Sequence, residues 1–62
     1  MRVVVLGADG AAVARAVRER RTAGDRAVGF VGDPGEREVQ AAALAMGTEM
    51  LGAVDQVVTA EA

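Results

Sequence analysis

Eight residue types are missing from this 62-residue chain: Ser, Lys, Asn, His, Tyr, Trp, Cys and Ile. Without cysteine there is no disulfide, and without a His–Cys set the usual structural metal sites are excluded. The loss of Ser, Cys, His, Lys and Tyr also removes most nucleophiles and near-neutral proton carriers. Carboxylates, arginines, threonines and backbone amides remain, and a self-contained enzyme is not expected from them. A GC-rich coding sequence produces such a narrow alphabet, and so does design from a reduced one. Neither origin bears on function.

Sixty-two residues allow one small domain. A chain of this size buries only about 60% of the surface its unfolded form exposes. Lacking disulfide and metal, it is expected to rely on self-association, as a homo-oligomer, or on a partner subunit. The net charge of −2 speaks against a nucleic-acid partner. The charge is uneven: residues 1–31 carry +3 and residues 32–62 carry −5. Such halves pack side by side within a fold or between copies, or simply form a solvated surface. No apolar run approaches the roughly 18 residues of a membrane span. Asp9 interrupts the first apolar run too early for a secretion signal. No membrane contact is expected, and the expected compartment is the cytoplasm.

The chain is organised around Arg2–Val17. Val3-Val4-Val5-Leu6 is continuously apolar, the pattern of a strand buried on both faces, which predicts a strand over Arg2–Leu6. It stops at Gly7-Ala8-Asp9-Gly10 and gives way to an alanine-rich helix from Gly10 or Ala11 to Thr22 or Ala23. Val13, Ala16 and Val17 share its apolar face. Arg18, Arg20 and Arg21 suit the negative end of the helix dipole, and Gly24 suits a left-handed stop. A glycine turn into a helix leaves N–H groups unpaired, which makes it a candidate anion site.

Arg26–Val31 reads as the second strand, with Val28 and Phe30 on one face and Ala27, Gly29 and Val31 on the other. In Gly32-Asp33-Pro34-Gly35, Asp33 is placed to cap a helix that begins at Pro34, with Glu36 completing a capping box. That helix is expected to reach about Met46 on a stripe of Val39, Ala42, Ala43 and Met46, and to end at Gly47. Thr48–Gly52 fits either one more helical turn or a packed loop. Val54–Thr59 is the third strand, interrupted by Asp55 and Gln56 and so placed at an edge.

The order β-α-β-α-β with right-handed crossovers makes a small parallel three-stranded α/β sheet. In order 3-2-1 both helices lie on one face and the first strand is an open edge. In order 2-1-3 each face receives a helix and the first strand is central. The 3-2-1 edge would itself invite a second copy.

The strand–GADG–helix unit, with a following strand that ends near Asp33, resembles the first half of a Rossmann nucleotide-binding domain. Gly7-Ala8-Asp9-Gly10 is similar to the opening of extended and atypical short-chain dehydrogenases. Val28–Pro34, VGFVGDP, is similar to a phrase in the amino-terminal domains of sugar-nucleotide-modifying enzymes, including sugar acyltransferases. The resemblance spans residues 1–62 as a single half-domain and favours the 3-2-1 order. It implies NAD(P) or a sugar nucleotide as ligand. Gly7 would then form the tight turn, and Ala8, Gly10 and Ala11 would offer backbone to a phosphate. Asp33 would accept a ribose hydroxyl. The chain departs from the family at Val13, where a third glycine belongs, and at Asp9, a carboxylate beside the expected phosphate. It also lacks the family's Tyr-xxx-Lys pair.

Each candidate has a plainer explanation. Gly7, Asp9 and Gly10 suffice for a strand-to-helix turn capped by Asp9. Pro34 and Glu36 account for Asp33 as a cap, the arginines of the first helix suit a solvated face, and Met46 and Met50 suit core filling. Two classes of function remain: a non-catalytic nucleotide- or phosphate-binding module within an oligomer or larger complex, and a structural or interaction scaffold, natural or designed, with no ligand.

Overall fold

A strand as apolar as Val3–Leu6 is best buried in the middle of a sheet, and there it lies. The computed structural model describes residues 1–61. Three strands and two helices alternate along it: β1 (Arg2–Gly7), α1 (Gly10–Thr22), β2 (Arg26–Val31), α2 (Arg37–Leu51) and β3 (Gln56–Thr59). The sheet order is β2-β1-β3, and both pairings are parallel. The expected 3-2-1 order is therefore corrected to the 2-1-3 arrangement, and β1 offers no open edge for a second copy.

Alternation along β1 explains why this order prevails. Val3 and Val5 point to one face and join Val13 and Val17 of α1 and Ala27 of β2. Val4 and Leu6 point to the other, where they meet Ala43 and Leu51 of α2 and Val28 of β2. Val3, Val4 and Val5 are 0% exposed and Leu6 only 2%. Two apolar faces need two covering helices, whereas the 3-2-1 order supplies cover to only one.

The helix ends follow local chemistry. Asp9 Oδ1 accepts the N–H of Ala11 at 3.0 Å and so caps α1. At the other end Gly24 takes φ +98°, its N–H bonds to the Arg21 carbonyl, and the Asp25 N–H bonds to that of Arg20. This is the Schellman pattern, and Gly24 is the expected left-handed stop. Asp25 lies beside the amino group of Met1 and the guanidinium of Arg20, at 3.4 and 3.7 Å.

The second helix departs from expectation at both ends. It starts at Arg37 with Glu36 as its cap residue, which makes no side-chain capping bond. Asp33 does not cap it. Instead its Oδ1 accepts the Gly35 N–H at 2.8 Å, and its carbonyl accepts the Glu36 N–H at 3.1 Å. Asp33–Glu36 is thus a β-turn with Pro34 at its second position, a competing use of the same residues.

Gly47 does not end α2; the helix runs one more turn to Leu51 and stops at Gly52, φ +85°. Its buried stripe is Ala43, Gly47 and Leu51, with Val39 and Met46 partly covered, while Ala42 is exposed. A Cβ at Gly47 would overlap Val4 Cγ2. At Gly47 helix and central strand lie too close for any side chain. No helix among the described residues is long and apolar enough to cross a membrane.

Candidate functional site

The glycine turn and the aspartate turn, separate in sequence, meet at the carboxyl ends of β1 and β2. The N–H of Gly32 bonds to the Gly7 carbonyl at 2.8 Å, immediately beyond the last paired residues Gly7 and Val31. Gly7, Ala8, Gly10 and Ala11 therefore stand in one turn, and Asp33 stands in the next. The third loop at this end belongs to β3. The Ala60 N–H bonds to the Leu6 carbonyl at 2.9 Å, and a Cβ on Gly7 would lie 2.6 Å from the Ala60 oxygen. The 3-2-1 order sets β3 two strands from β1 and so hides Ala60 as a neighbour of Gly7. The 2-1-3 order alone reveals it.

Glycine is needed at Gly7 for a second reason. A Cβ there would also lie 3.1 Å from Val13 Cγ2, and one on Gly29 would lie 2.6 Å from Val13 Cγ1. The Rossmann pattern lets the helix approach the sheet by placing a glycine on the helix. Here the helix position is Val13, and the glycines that make room are on β1 and β2. Gly10 differs: its Cβ would meet only Val31 Cγ2, at 3.8 Å.

The turn's donors are partly used. Ala11 N–H goes to the Asp9 carboxylate and Val13 N–H to the Asp9 carbonyl. Among the described residues no protein acceptor takes the N–H of Gly10 or Ala12. Those two groups are what the first turn of α1 has left for a ligand.

Charge at this end is negative. Asp9, Asp33, Glu36 and Glu61 are all exposed in the three loops, and Arg37 is the base at the start of α2. Arg20 and Arg21 lie in the last turn of α1, and Arg2 and Arg26 begin their strands, at the opposite end of the sheet. Among the described residues no group of three or more acidic side chains is arranged to hold a metal.

No protein-family model matches this chain, and neither a curated protein nor a solved structure is significantly similar to it.

Proposed function

We propose that the chain is a non-catalytic nucleotide-binding α/β module, with its ligand across the carboxyl ends of β1 and β2. The observation that carries this reading is the Gly32–Gly7 hydrogen bond, which sets the glycine turn beside the Asp33 turn. The strand order supports the β1 end of this site. Beyond β1 the chain runs one way to β2 and, after α2, returns past β1 to β3. Ligands of open parallel sheets collect outside the carboxyl ends of the strands where the order reverses. Here the reversal falls between β1 and β3, so the order supports the Gly7 turn as the phosphate end, and the Gly32–Gly7 bond alone brings in the Asp33 turn. With Oδ1 of Asp33 held by Gly35, Oδ2 is left to accept a ribose hydroxyl. The amides of Gly10 and Ala12, left without a protein acceptor among the described residues, would receive the phosphate, and NAD(P) or a sugar nucleotide is the ligand class. The module works within an oligomer or a larger complex that supplies any chemistry.

A second reading, a scaffold without ligand, is favoured by Asp9. Its carboxylate already takes the Ala11 amide and repels a phosphate approaching the same turn. Amide spectra titrated with NAD, NADP, a uridine-diphosphate sugar and inorganic phosphate distinguish the two. The nucleotide reading expects shifts in Gly7–Ala12 and Gly32–Gly35, and weaker binding by Asp33→Asn with the fold intact. No shift at millimolar ligand, or shifts confined to α2 and β3, would overturn it in favour of the scaffold.

A further inference from the structure

The two edges of the sheet are open in complementary ways. Along the outer edge of β2, beneath α1, runs a groove of about 650 Å³. Val13, Val17, Gly29 and Val31 line it, and Arg18 and Arg21 add positive charge. Val31 is 56% exposed there. At the far edge β3 has the converse lack. Both helices pack over β1 and β2, neither packs extensively on β3, and Val57 is 47% exposed.

We propose that β3 of a second copy of this chain seats in the groove as a parallel strand beside β2, so that the sheet continues from one copy into the next. This goes beyond ligand binding and does not depend on it.

The backbone groups match in number. Arg26 and Gly32 direct their N–H groups at β1, so by alternation Ala27, Gly29 and Val31 face outward. Arg21 closes the lowest of these, donating to the Ala27 carbonyl from Nε at 3.1 Å and Nη2 at 2.9 Å. Gly29 and Val31 stay open above that clamp. On β3 the Ala60 N–H faces β1, so Val57 and Thr59 face outward. Two outward residues thus meet two.

The levels match as well. Val28 and Val57 both stand opposite Val4, and Gly29 and Val58 both stand opposite Val5. A sheet continued at constant level sets Val58 of the second copy beside Gly29, on the α1 face, where the groove is apolar. It also sets Val57 of the second copy beside Val28 on the α2 face. At the foot, Arg26 pairs with Arg2, and Asp55 donates its N–H to the Arg2 carbonyl, so Arg26 and Asp55 share a level. Opposite charges therefore share a level across the joint, in keeping with the +3 and −5 halves of the sequence, while Asp55 Oδ2 also accepts the Arg2 N–H of its own copy at 2.8 Å. The contact joins unlike surfaces, so each copy keeps one open edge and assembly runs to chains or closes into a ring.

Sedimentation velocity over a concentration series tests this with two variants at exposed positions, Val31→Lys on β2 and Thr59→Lys on β3, each checked for its fold by circular dichroism. An edge lysine blocks strand addition. The expected results are a wild-type mass that rises past the dimer and falls with salt, two monomeric variants, and a 1:1 dimer when they are mixed. That mixture retains one intact pair of surfaces. Arg26→Glu, which spares both edges, should weaken association by roughly tenfold at low salt and keeps the test decisive if a lysine variant fails to fold. A wild-type monomer at every concentration would overturn the proposal and leave the groove to another occupant. A dimer abolished by Thr59→Lys but untouched by Val31→Lys would overturn it in favour of symmetric β3 pairing.

Discussion

Replacing Gly47 with alanine tests how closely α2 lies on the central strand. At an exposed position inside a helix this change stabilises by about 1 kcal/mol, because alanine loses less backbone freedom than glycine. At Gly47 the new Cβ overlaps Val4 Cγ2 and stands 3.0 Å from Val54 Cγ2. Val4 is 0% exposed and β-branched, so it has no free rotamer into which to retreat. Either α2 lifts off β1 or Val4 leaves its well, and overpacking of this kind costs about 1–3 kcal/mol. The loss of facing contacts along Ala43 and Leu51 places the cost toward the upper end. The net expectation is destabilisation by about 1–2 kcal/mol, and each kcal/mol lowers Tm by about 4–8 °C in so small a domain.

The decisive form is a double-mutant cycle with Val4→Ala. That change alone removes two buried methyls and costs about 2 kcal/mol, but it also vacates the space that the new Cβ needs. In the Val4→Ala background Gly47→Ala should therefore become neutral or stabilising by up to about 1 kcal/mol. Urea unfolding followed at 222 nm measures it, since the chain has no tryptophan or tyrosine to report by fluorescence. A raised midpoint for Gly47→Ala in the wild-type background would refute the close approach, and so would the same loss in both backgrounds. Gly10→Ala is the control: with nothing nearer than 3.8 Å it should cost nothing.

Asp9→Ala should destabilise by about 0.5–2 kcal/mol through the lost cap of α1, while Asp9→Ser recovers most of it in urea unfolding. If a nucleotide binds, Asp9→Ser should also tighten it by removing a negative charge beside the phosphate. Asp33→Ala, which opens a turn and no helix cap, should cost less than Asp9→Ala in the same assay. Gly24→Ala forces a side chain into φ +98° and should cost about 1–2 kcal/mol, read as an earlier thermal transition. Gly29→Ala should be destabilising by overlap with Val13 and be rescued by Val13→Ala, since the nearest atom to the new Cβ is Val13 Cγ1.

What was legible in the sequence is what depends on neighbours along the chain. The continuous apolar run of Val3–Leu6 marked a strand buried on both faces. The period of Val13, Ala16 and Val17 marked α1 and its inward face. Gly24 marked its stop, and alternation in β2 assigned Val28 and Phe30 to one face and Ala27 to the other. Even the side-by-side placement of the Gly7 and Asp33 turns follows from the parallel pairing of β1 with β2, which both sheet orders share.

The tertiary structure decided what depends on more than one element at once. Sheet order is one such matter, because Val3–Leu6 shows two apolar faces without saying which helix covers which. The resemblance to a half-Rossmann domain pointed to 3-2-1, and the burial of both β1 faces requires 2-1-3. Gly47 is another: by itself it reads as a helix end, and only Val4 and Val54 pressing on it explain a glycine inside a helix. Asp33 is the third. Local rules allow it a helix cap or a turn, and in the structure α2 starts only at Arg37 while Asp33 Oδ1 accepts the Gly35 N–H, which makes it the turn. Local propensity fixes which elements form. The need to cover both faces of one strand fixes how they are arranged.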